Sequence, residues 1–242
     1  MVEICGKKCD FLGNLELLKP PKVSIVGSRR ATQYAKEITF QLARGFAKRG
    51  WVVVSGAAMG IDAMAHRGAG AANTIAVLPC GIQERYPKVN ASLIDAIAAN
   101  GLIVSQFEKN FKATPWSFVV RNELVVGLGE FLIVAEAAKG SGSMRSVEIA
   151  KELGKKIYVL PHRIGQSQGT NDLAASGEAE VIWNLEGFLS RFGSEKEDAM
   201  TSFLKSAPFL DEALERFGEK IYELEIEGIV EIVGGKVYYK GE

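Results

Sequence analysis

The sequence contains little cysteine, little histidine and no long apolar run. Its 242 residues include three cysteines and two histidines, too few for a disulfide framework and poorly suited to a metal site. No apolar stretch reaches the roughly 18 residues that a membrane-spanning helix needs, and the N-terminal residues lack a secretory signal. We therefore expect a cytoplasmic protein with reduced thiols and without a metal or cofactor.

The charges balance overall but are divided unequally along the chain. Apolar residues make up 47% of the sequence and charged residues 24%, as in ordinary soluble domains. Residues 1–193 carry 23 lysines and arginines against 17 acidic residues, whereas residues 194–242 carry 6 against 12. The larger part is therefore suited to a polyanion, and the smaller part is expected to repel one.

Short apolar runs alternate with longer amphipathic stretches through most of the chain. The runs are rich in β-branched residues, as strands covered on both faces are, and comprise residues 22–26, 51–54, 74–78, 102–104, 131–135, 156–160 and 179–182. Helices are predicted between them, at residues 34–48, 61–69, 91–99, 116–126 and 143–153. This order predicts an α/β fold with a Rossmann-like, mostly parallel sheet and helices on both faces.

The two ends of the chain differ from this pattern. Residues 1–20 show no clear periodicity and are expected to form a short lead-in to a core of residues 21–192. Residues 193–199 are small and charged, which predicts a linker. Residues 200–242 suggest two short helices around Gly218 and a hairpin with a two-glycine turn. Helices followed by a hairpin predict a small winged-helix-like domain.

The first predicted strand is followed by a turn whose side chains suit a phosphate. This turn contains hydroxyl groups, guanidinium groups and a glycine just before a predicted helix, in Gly27, Ser28, Arg29, Arg30 and Thr32. A helix N-terminus offers unpaired N–H groups and a partial positive charge to an anion. An equally good interpretation is a plain turn with Thr32 as the helix cap and solvated arginines.

Two further turns lie in the corresponding place after other strands, where ligands bind in open α/β sheets. One is bounded by Gly56 and Gly60, and the other contains Ser141, Gly142 and Ser143. Together with the first turn they predict an anion-attracting edge. Asp62 and His66 follow on one helix face, and we interpret them as a structural pair that orients the loop.

Cations and aromatic residues are interleaved elsewhere in the chain. Lys88 lies in a predicted loop, and Lys112, Trp116, Phe118 and the pair Arg121-Asn122 follow. Single-stranded nucleic acid needs charge for its phosphates and stacking surfaces for its bases. The alternative is that the two aromatic residues belong to the core at a helix start.

Six segments occur along the chain in a specific order, namely VSIVGSRRATQYAKE, VVSGAAMGIDAMAH, TIAVLPCGIQERYP, GLIVSQF, RNELVVGL and VAEAAKGSGSMRSVEIA. This ordered set resembles the DNA-processing protein A family (DprA, also called Smf), and its epsilon-proteobacterial members in particular. The resemblance extends from about Lys22 to Phe188, and the C-terminal segment resembles the winged-helix domain of many members.

The resemblance implies a Rossmann-like homodimer that binds single-stranded DNA without strong sequence preference and has no catalytic activity. It further implies protection of incoming DNA in natural transformation and loading of the RecA recombinase. Ser28 and Arg29 match the family's DNA-contacting loop, Lys88 and Lys112 lie in loops where members place basic contacts, and Arg121-Asn122 match the family's RN pair. The acidic C-terminal segment is interpreted as a protein-contact module.

Two alternatives use the same fold differently. The segment from Gly140 to Glu148 partly resembles the motif of nucleotide phosphoribohydrolases, with Glu148 near the required spacing and the leading proline-glycine pair absent. An enzyme of that class is therefore the second interpretation. A nucleotide-sensing module without catalysis is the third.

Overall fold

The computed structural model describes residues 1–195 and 199–241. Contacts divide the chain into two units, Met1–Glu195 and Lys196–Glu242, which are treated separately below. Within the described part of the chain, no helix has the length and apolar character needed to cross a bilayer.

The first unit contains nine strands and seven α-helices, in the part of the chain that the structure describes. The strands are β1 (Val2–Ile4), β2 (Lys7–Gly13), β3 (Lys22–Val26), β4 (Val52–Ser55), β5 (Thr74–Val77), β6 (Leu102–Ser105), β7 (Phe131–Val134), β8 (Ile157–Val159) and β9 (Glu180–Val181). The helices are α1 (Gln33–Lys48), α2 (Ile61–Ala69), α3 (Ala91–Asn100), α4 (Pro115–Leu128), α5 (Gly142–Glu152), α6 (Gln168–Ala175) and α7 (Leu185–Leu189).

All nine strands form one sheet in the order β1-β2-β6-β5-β4-β3-β7-β8-β9. The strands from β3 to β9 are all parallel to one another, which confirms the predicted Rossmann-like architecture. The chain moves outward from β3 to β6 and then returns to place β7 on the other side of β3. This reversal creates a topological switch point between β3 and β7, where ligands bind in open α/β sheets.

Alternate residues of each strand enter different cores. On β3, Val26 packs in one core with Leu124 of α4 and Val147 of α5. Its neighbour Ile25 packs in the opposite core with Phe46 of α1. Both faces of the sheet are therefore covered, which explains why the strands read as continuous apolar runs.

The N-terminal segment differs from the prediction, because residues 1–20 are part of the sheet. Strand β2 pairs antiparallel with β6, with Phe11 opposite Val104, and β1 extends the edge beyond it. Ile4, Cys9 and Leu17 are buried in the core on the α4 side. The segment therefore covers what would otherwise be an open sheet edge at β6.

The predicted linker at residues 193–199 also differs, because its first residues belong to the core. The buried Arg49 side chain donates from Nε to the Gly193 carbonyl at 3.0 Å and from Nη1 to the Glu195 carboxylate at 2.9 Å. Lys48 pairs with the same carboxylate at 2.9 Å. The remainder of the predicted linker, residues 196–198, lies outside the described residues, and residue 199 begins the next helix.

The second unit contains three helices followed by a hairpin. The helices are α8 (Ala199–Lys205), α9 (Leu210–Phe217) and α10 (Lys220–Ile226), and the strands are β10 (Val230–Val233) and β11 (Lys236–Tyr239). The predicted helix break at Gly218 and the hairpin are confirmed, and the hairpin turn uses two glycines with φ of 59° and 78°, as a type I′ turn requires. Helix α8 was not predicted, and the winged-helix assignment stays a prediction.

Candidate nucleic-acid interface

A cleft of about 710 Å³ lies at the carboxyl ends of β3, β4 and β7. Its walls come from residues 27–30 after β3, residues 113–122 at the start of α4 and residues 141–146 at the start of α5. The cleft therefore occupies the topological switch point between β3 and β7. The charged residues that line it are three arginines and one aspartate, so its net charge favours an anion.

The turn after β3 is fixed by close backbone packing. The Ser28 N–H donates to the Glu136 carbonyl at 2.8 Å, and the Ser28 hydroxyl accepts from the Arg30 N–H at 3.1 Å. A Cβ on Gly27 would lie 2.6 Å from Ile61 Cγ1, and a Cβ on Gly60 would overlap the Ser28 carbonyl. Gly60 therefore supports the turn from beneath and does not line the cleft, contrary to its predicted role in DNA binding.

Thr32 has a different role from the one predicted. Its hydroxyl donates to Glu136 Oε2 at 2.6 Å and accepts from the Ala35 N–H at 3.3 Å, while its own N–H donates to the same carboxylate oxygen at 2.9 Å. Both hydrogen-bonding functions of the hydroxyl are used within the protein. Thr32 is thus the N-cap of α1 and not a phosphate ligand in the cleft.

Arg29 and Phe118 form the exposed rim of the cleft. The Arg29 guanidinium carbon lies 4.5 Å from the centroid of the Phe118 ring, within cation–π distance. The Tyr86 ring stands edge-on to Phe118 at 5.7 Å and also lines the cleft. Arg29 and its neighbour Arg30 are exposed, so this rim offers charge and aromatic surface side by side.

The beginning of α4 places Phe118 on this rim. Thr114 and Ser117 form a reciprocal capping box, with Pro115 at the first helical position, a combination that fixes where a helix starts. One turn later, Arg121 is turned inward and is only 4% exposed. Its Nη1 donates to the Val77 carbonyl at 2.8 Å.

Arg121 therefore forms the floor of the cleft and not its surface, although the sequence suggested a DNA contact. A Cβ on Gly56 would overlap its guanidinium group, so glycine at this position makes room for the arginine. Asp62 lies against the same cleft, and burial raises the pKa of its carboxyl while Arg121 opposes that rise. The Asp62 carboxylate also accepts from the Ala58 N–H at 3.4 Å.

His66 holds the loop after β4, as the structural interpretation expects. Its Nε2 accepts from the Ala57 N–H at 3.2 Å. The Thr74 hydroxyl donates to the Val53 carbonyl at 2.7 Å, so its oxygen accepts from His66 Nδ1 at 2.7 Å. Burial, together with the Arg121 charge, lowers the pKa of His66 to about 3. A neutral ring with its proton on Nδ1 is the form that these contacts require.

The third predicted turn opens into the cleft at the start of α5. Ser141 is the N-cap residue and its side chain makes no capping hydrogen bond. Gly142 and Ser143 also line the cleft, and Asn122 donates to the Gly142 carbonyl at 3.4 Å. Among the described residues, Ser141 Oγ, Ser146 Oγ and Arg121 Nε are buried without a hydrogen-bond partner.

The part of the chain that forms the cleft matches a known protein family. Residues 11–193 match the family described as DNA recombination-mediator protein A, a span that contains the whole cleft. The chain belongs to that family. The first turn, the RN pair at residues 121–122 and the third turn all lie inside the matched span, and each contributes to the cleft of this family member.

Relatives with solved structures share the fold. DNA processing protein A from Helicobacter pylori, whose structure describes a single-stranded DNA binding mode, has 42% identity and a TM-score of 0.75, covering 76% of this chain and 86% of that one. DprA from Streptococcus pneumoniae has 35% identity and a TM-score of 0.71, covering 77% of this chain and 67% of that one.

The curated relatives are longer than this family member. DprA from Bacillus subtilis is 35% identical over 179 residues, which are 72% of this chain and 60% of that protein. The DprA of Streptococcus pneumoniae is 36% identical over 75% of this chain and 65% of that protein. The matched part of the chain thus spans less than two thirds of these relatives.

Two lysines that the resemblance assigned to DNA do not line the cleft. Lys88 and Lys112 are exposed, while their near neighbours Tyr86 and Ala113 form part of its wall. The lysines therefore flank the cleft. Trp116 packs against Phe107 at 5.6 Å and is not a lining residue, so of the two aromatic candidates only Phe118 lies in the cleft.

The glutamate on which the alternative enzyme interpretation rests does not line the cleft. This residue, Glu148, pairs with Arg145 at 2.7 Å on the exposed face of α5. Burial raises the pKa of Cys80 to about 11, with a smaller contribution from Glu84, so the thiol is a poor nucleophile. Among the described residues, no cluster of three or more metal-ligating side chains occurs.

Sequence reasoning missed three residues that build the site. The Glu136 carboxylate accepts from the Thr32 hydroxyl and its carbonyl accepts from the Ser28 N–H. Glu136 follows β7, about a hundred residues away in sequence from the turn that it supports. Tyr86 and Ser146 line the cleft. An aromatic residue close to Lys88 was a usable signal, whereas nothing in the pattern of α5 distinguishes Ser146 from an ordinary helical serine.

Proposed function

We propose that this chain binds single-stranded DNA in the cleft, protects incoming DNA in natural transformation and helps load the RecA recombinase, in the cytoplasm and without catalysing a reaction. The observation that carries the proposal is the rim, where the Arg29 guanidinium lies on the Phe118 ring. A cation for phosphates and an aromatic face for bases are the two parts of a single-strand site. The relative from Helicobacter pylori, with its single-stranded DNA binding mode, supports the same assignment.

A homodimer is part of the proposal. One cleft holds only a few phosphates, so its affinity should fall quickly with salt. Two clefts joined by two-fold symmetry, the commonest arrangement, would raise the affinity for a longer strand through effective concentration. Sedimentation of the free protein and binding measured against oligonucleotide length test this part.

The second unit is assigned to protein contact. Residues 194–242 carry 12 acidic against 6 basic residues. Their helices include Glu212, Glu215, Glu223 and Glu225, and Glu219 is the N-cap residue of α10. A surface of this sign repels DNA. We assign it to partners such as the recombinase.

A salt-titrated comparison of matched oligonucleotides tests the proposed function. The full chain should bind a single-stranded oligonucleotide more tightly than the duplex of the same sequence, with little dependence on base composition. Its affinity should fall with rising salt, because released counterions drive the binding. Equal affinity for both forms, or hydrolysis of a nucleoside monophosphate by the protein, would contradict the proposal and favour the alternatives.

A further inference from the structure

The inner end of the cleft differs in chemistry from its rim. The rim residues Arg29 and Arg30 are exposed. The inner end, by contrast, is formed by Arg121, which is 4% exposed, and Ser146, which is 1% exposed. This inner end, made of Arg121, Ser141, Ser146 and the first turn of α5, is called the cleft floor below. Arg121 and Ser146 are therefore desolvated, whereas the rim arginines are not, and Ser141 is partly buried.

The cleft floor contains polar groups that have no partner among the described residues. Arg121 Nε, Ser141 Oγ and Ser146 Oγ are all buried and lack a hydrogen bond. More than nine in ten buried polar groups in proteins are paired, and an unpaired one costs free energy. Three such atoms on the lining residues of a single cleft indicate that the floor is built to receive hydrogen-bond acceptors.

The backbone of α5 adds donors of the same kind. This helix of 11 residues begins at Gly142, directly against the cleft. The first N–H groups of a helix have no intrahelical acceptor, and the helix dipole places partial positive charge there. The two hydroxyls and the guanidinium add further donors to an anion. The Asp62 carboxylate also lines the cleft beside Arg121, and burial raises its pKa, which favours the neutral acid at this position.

The number and burial of these donors favour a terminal phosphate over an internal one. A phosphodiester has two non-bridging oxygens and one negative charge, whereas a phosphomonoester has three such oxygens and close to two charges at neutral pH. An internal phosphate also needs two exits for the strand, while a strand end needs only one. A buried floor beneath an exposed rim matches a strand end.

We propose that the cleft floor binds the terminal phosphomonoester of a nucleic-acid strand, with Arg121, Ser141, Ser146 and the α5 N-terminus as its donors. The rim then holds the adjoining internal phosphates and bases. This inference rests on the proposed single-strand binding function and adds recognition of a strand end to it. A free nucleoside monophosphate presents the same chemistry and is a second source of the same ligand group.

Competition binding with one oligonucleotide in three forms tests the inference. The forms carry a 5′-phosphate, a 3′-phosphate or no terminal phosphate. Each unlabelled form competes with a labelled oligonucleotide that has no terminal phosphate for binding to the full chain. One phosphorylated form should bind about tenfold more tightly than the form without phosphate, the effect of one charge-assisted hydrogen bond. Equal affinity of all three forms would overturn the inference and leave the proposed function standing.

The Ser146→Ala variant connects the preference to the cleft floor. Alanine removes the unpaired hydroxyl without adding bulk, so the fold should be retained, and the affinity ratio between phosphorylated and unphosphorylated forms should fall towards one. Ser92→Ala, at an exposed serine of α3 that does not line the cleft, should keep the full ratio. A full ratio in Ser146→Ala would contradict the assignment.

Thermal unfolding with dTMP and thymidine gives a second reading that does not depend on strand binding. Stabilisation by dTMP but not by thymidine, lost in Ser146→Ala and kept in Ser92→Ala, is the expected result. If no oligonucleotide bound while dTMP still stabilised the protein, the proposed function would fail and the phosphate site would stand. Stabilisation by neither compound, together with equal oligonucleotide affinities, would remove the site.

Discussion

The Arg29 guanidinium carbon lies 4.5 Å from the centroid of the Phe118 ring. The two residues belong to different elements, the turn after β3 and the first turns of α4. The sheet reversal between β3 and β7 opens the gap in which they meet. Their contact keeps a cation and an aromatic face at one rim, the two features that single-stranded DNA binding requires.

Replacement of Arg29 by alanine should weaken binding to every single-stranded sequence, because a phosphate contact carries no sequence information. The slope of log affinity against log salt should fall in magnitude by about 0.7 for the lost contact. Fluorescence anisotropy at several salt concentrations measures both quantities. Arg44→Ala, at an exposed arginine of α1 away from the cleft, is the matched control. Identical curves for Arg29→Ala and Arg44→Ala would exclude Arg29 from the site.

Gly60→Ala should destabilise the protein and weaken DNA binding together. An alanine Cβ at this position would overlap the Ser28 carbonyl and displace the turn that carries Arg29. Gly70→Ala is a matched control, since both glycines have φ of 75° and a Cβ at Gly70 meets nothing within 4 Å. Urea unfolding should show Gly60→Ala less stable than Gly70→Ala by about 2 kcal/mol. Equal stabilities of the two variants would contradict the claim that the turn after β3 requires glycine at position 60.

The buried His66 should make the protein less stable in mild acid. Its pKa is lowered from 6.5 to about 3 in the folded state, so below pH 6.5 the unfolded chain takes up a proton that the folded protein does not. The contribution of neutral His66 to the free energy of unfolding is therefore fully present above pH 6.5 and is lost as the pH falls towards 3. Between pH 7 and pH 5 the free energy of unfolding should fall by about 2 kcal/mol. His66→Gln removes this titration, and a variant with the same pH-dependent loss as the original protein would contradict the assignment.

A chain that ends at Glu195 should fold and bind single-stranded DNA at least as well as the full chain, since it loses an acidic unit and keeps the cleft. A chain that ends at Phe192 is its control, because it also loses the Gly193 and Glu195 partners of the buried Arg49. The shorter chain should be less stable by about 2 kcal/mol. Thermal and urea unfolding give the stabilities, and anisotropy gives the affinities. A large loss of affinity in the chain ending at Glu195 would show that the second unit contacts DNA.

The parallel core could be predicted because its strands are buried on both faces and read as apolar runs. Strands β1 and β2 could not, because Glu3 interrupts the apolar residues of β1 and three charged residues interrupt those of β2, namely Lys7, Lys8 and Asp10. Strand β1 is the edge strand and β2 lies between it and β6, at an end of the sheet where charged side chains are common. Helix α6 was not predicted, because its residues are mostly small and polar and form no clear apolar stripe.

The sequence predicts which turns form the site, but it does not predict what each residue of those turns contacts. The position of each turn follows from strand and helix order, which the sequence contains. Arg121 is buried beneath Gly56, and Thr32 is bound to Glu136, because of tertiary contacts between distant segments. A motif shows that such residues matter to the site without showing which of them a ligand touches.

Photo-cross-linking of an oligonucleotide that contains 5-iododeoxyuridine tests most directly whether DNA lies in the cleft. Such a base reacts with aromatic side chains that it contacts, and mass spectrometry locates the linked peptide. We expect links to Phe118 and Tyr86, which line the cleft, and fewer links in Arg29→Ala. Links confined to exposed aromatic residues elsewhere, such as Trp183 at 80% exposure or Tyr238 at 43%, would contradict the account.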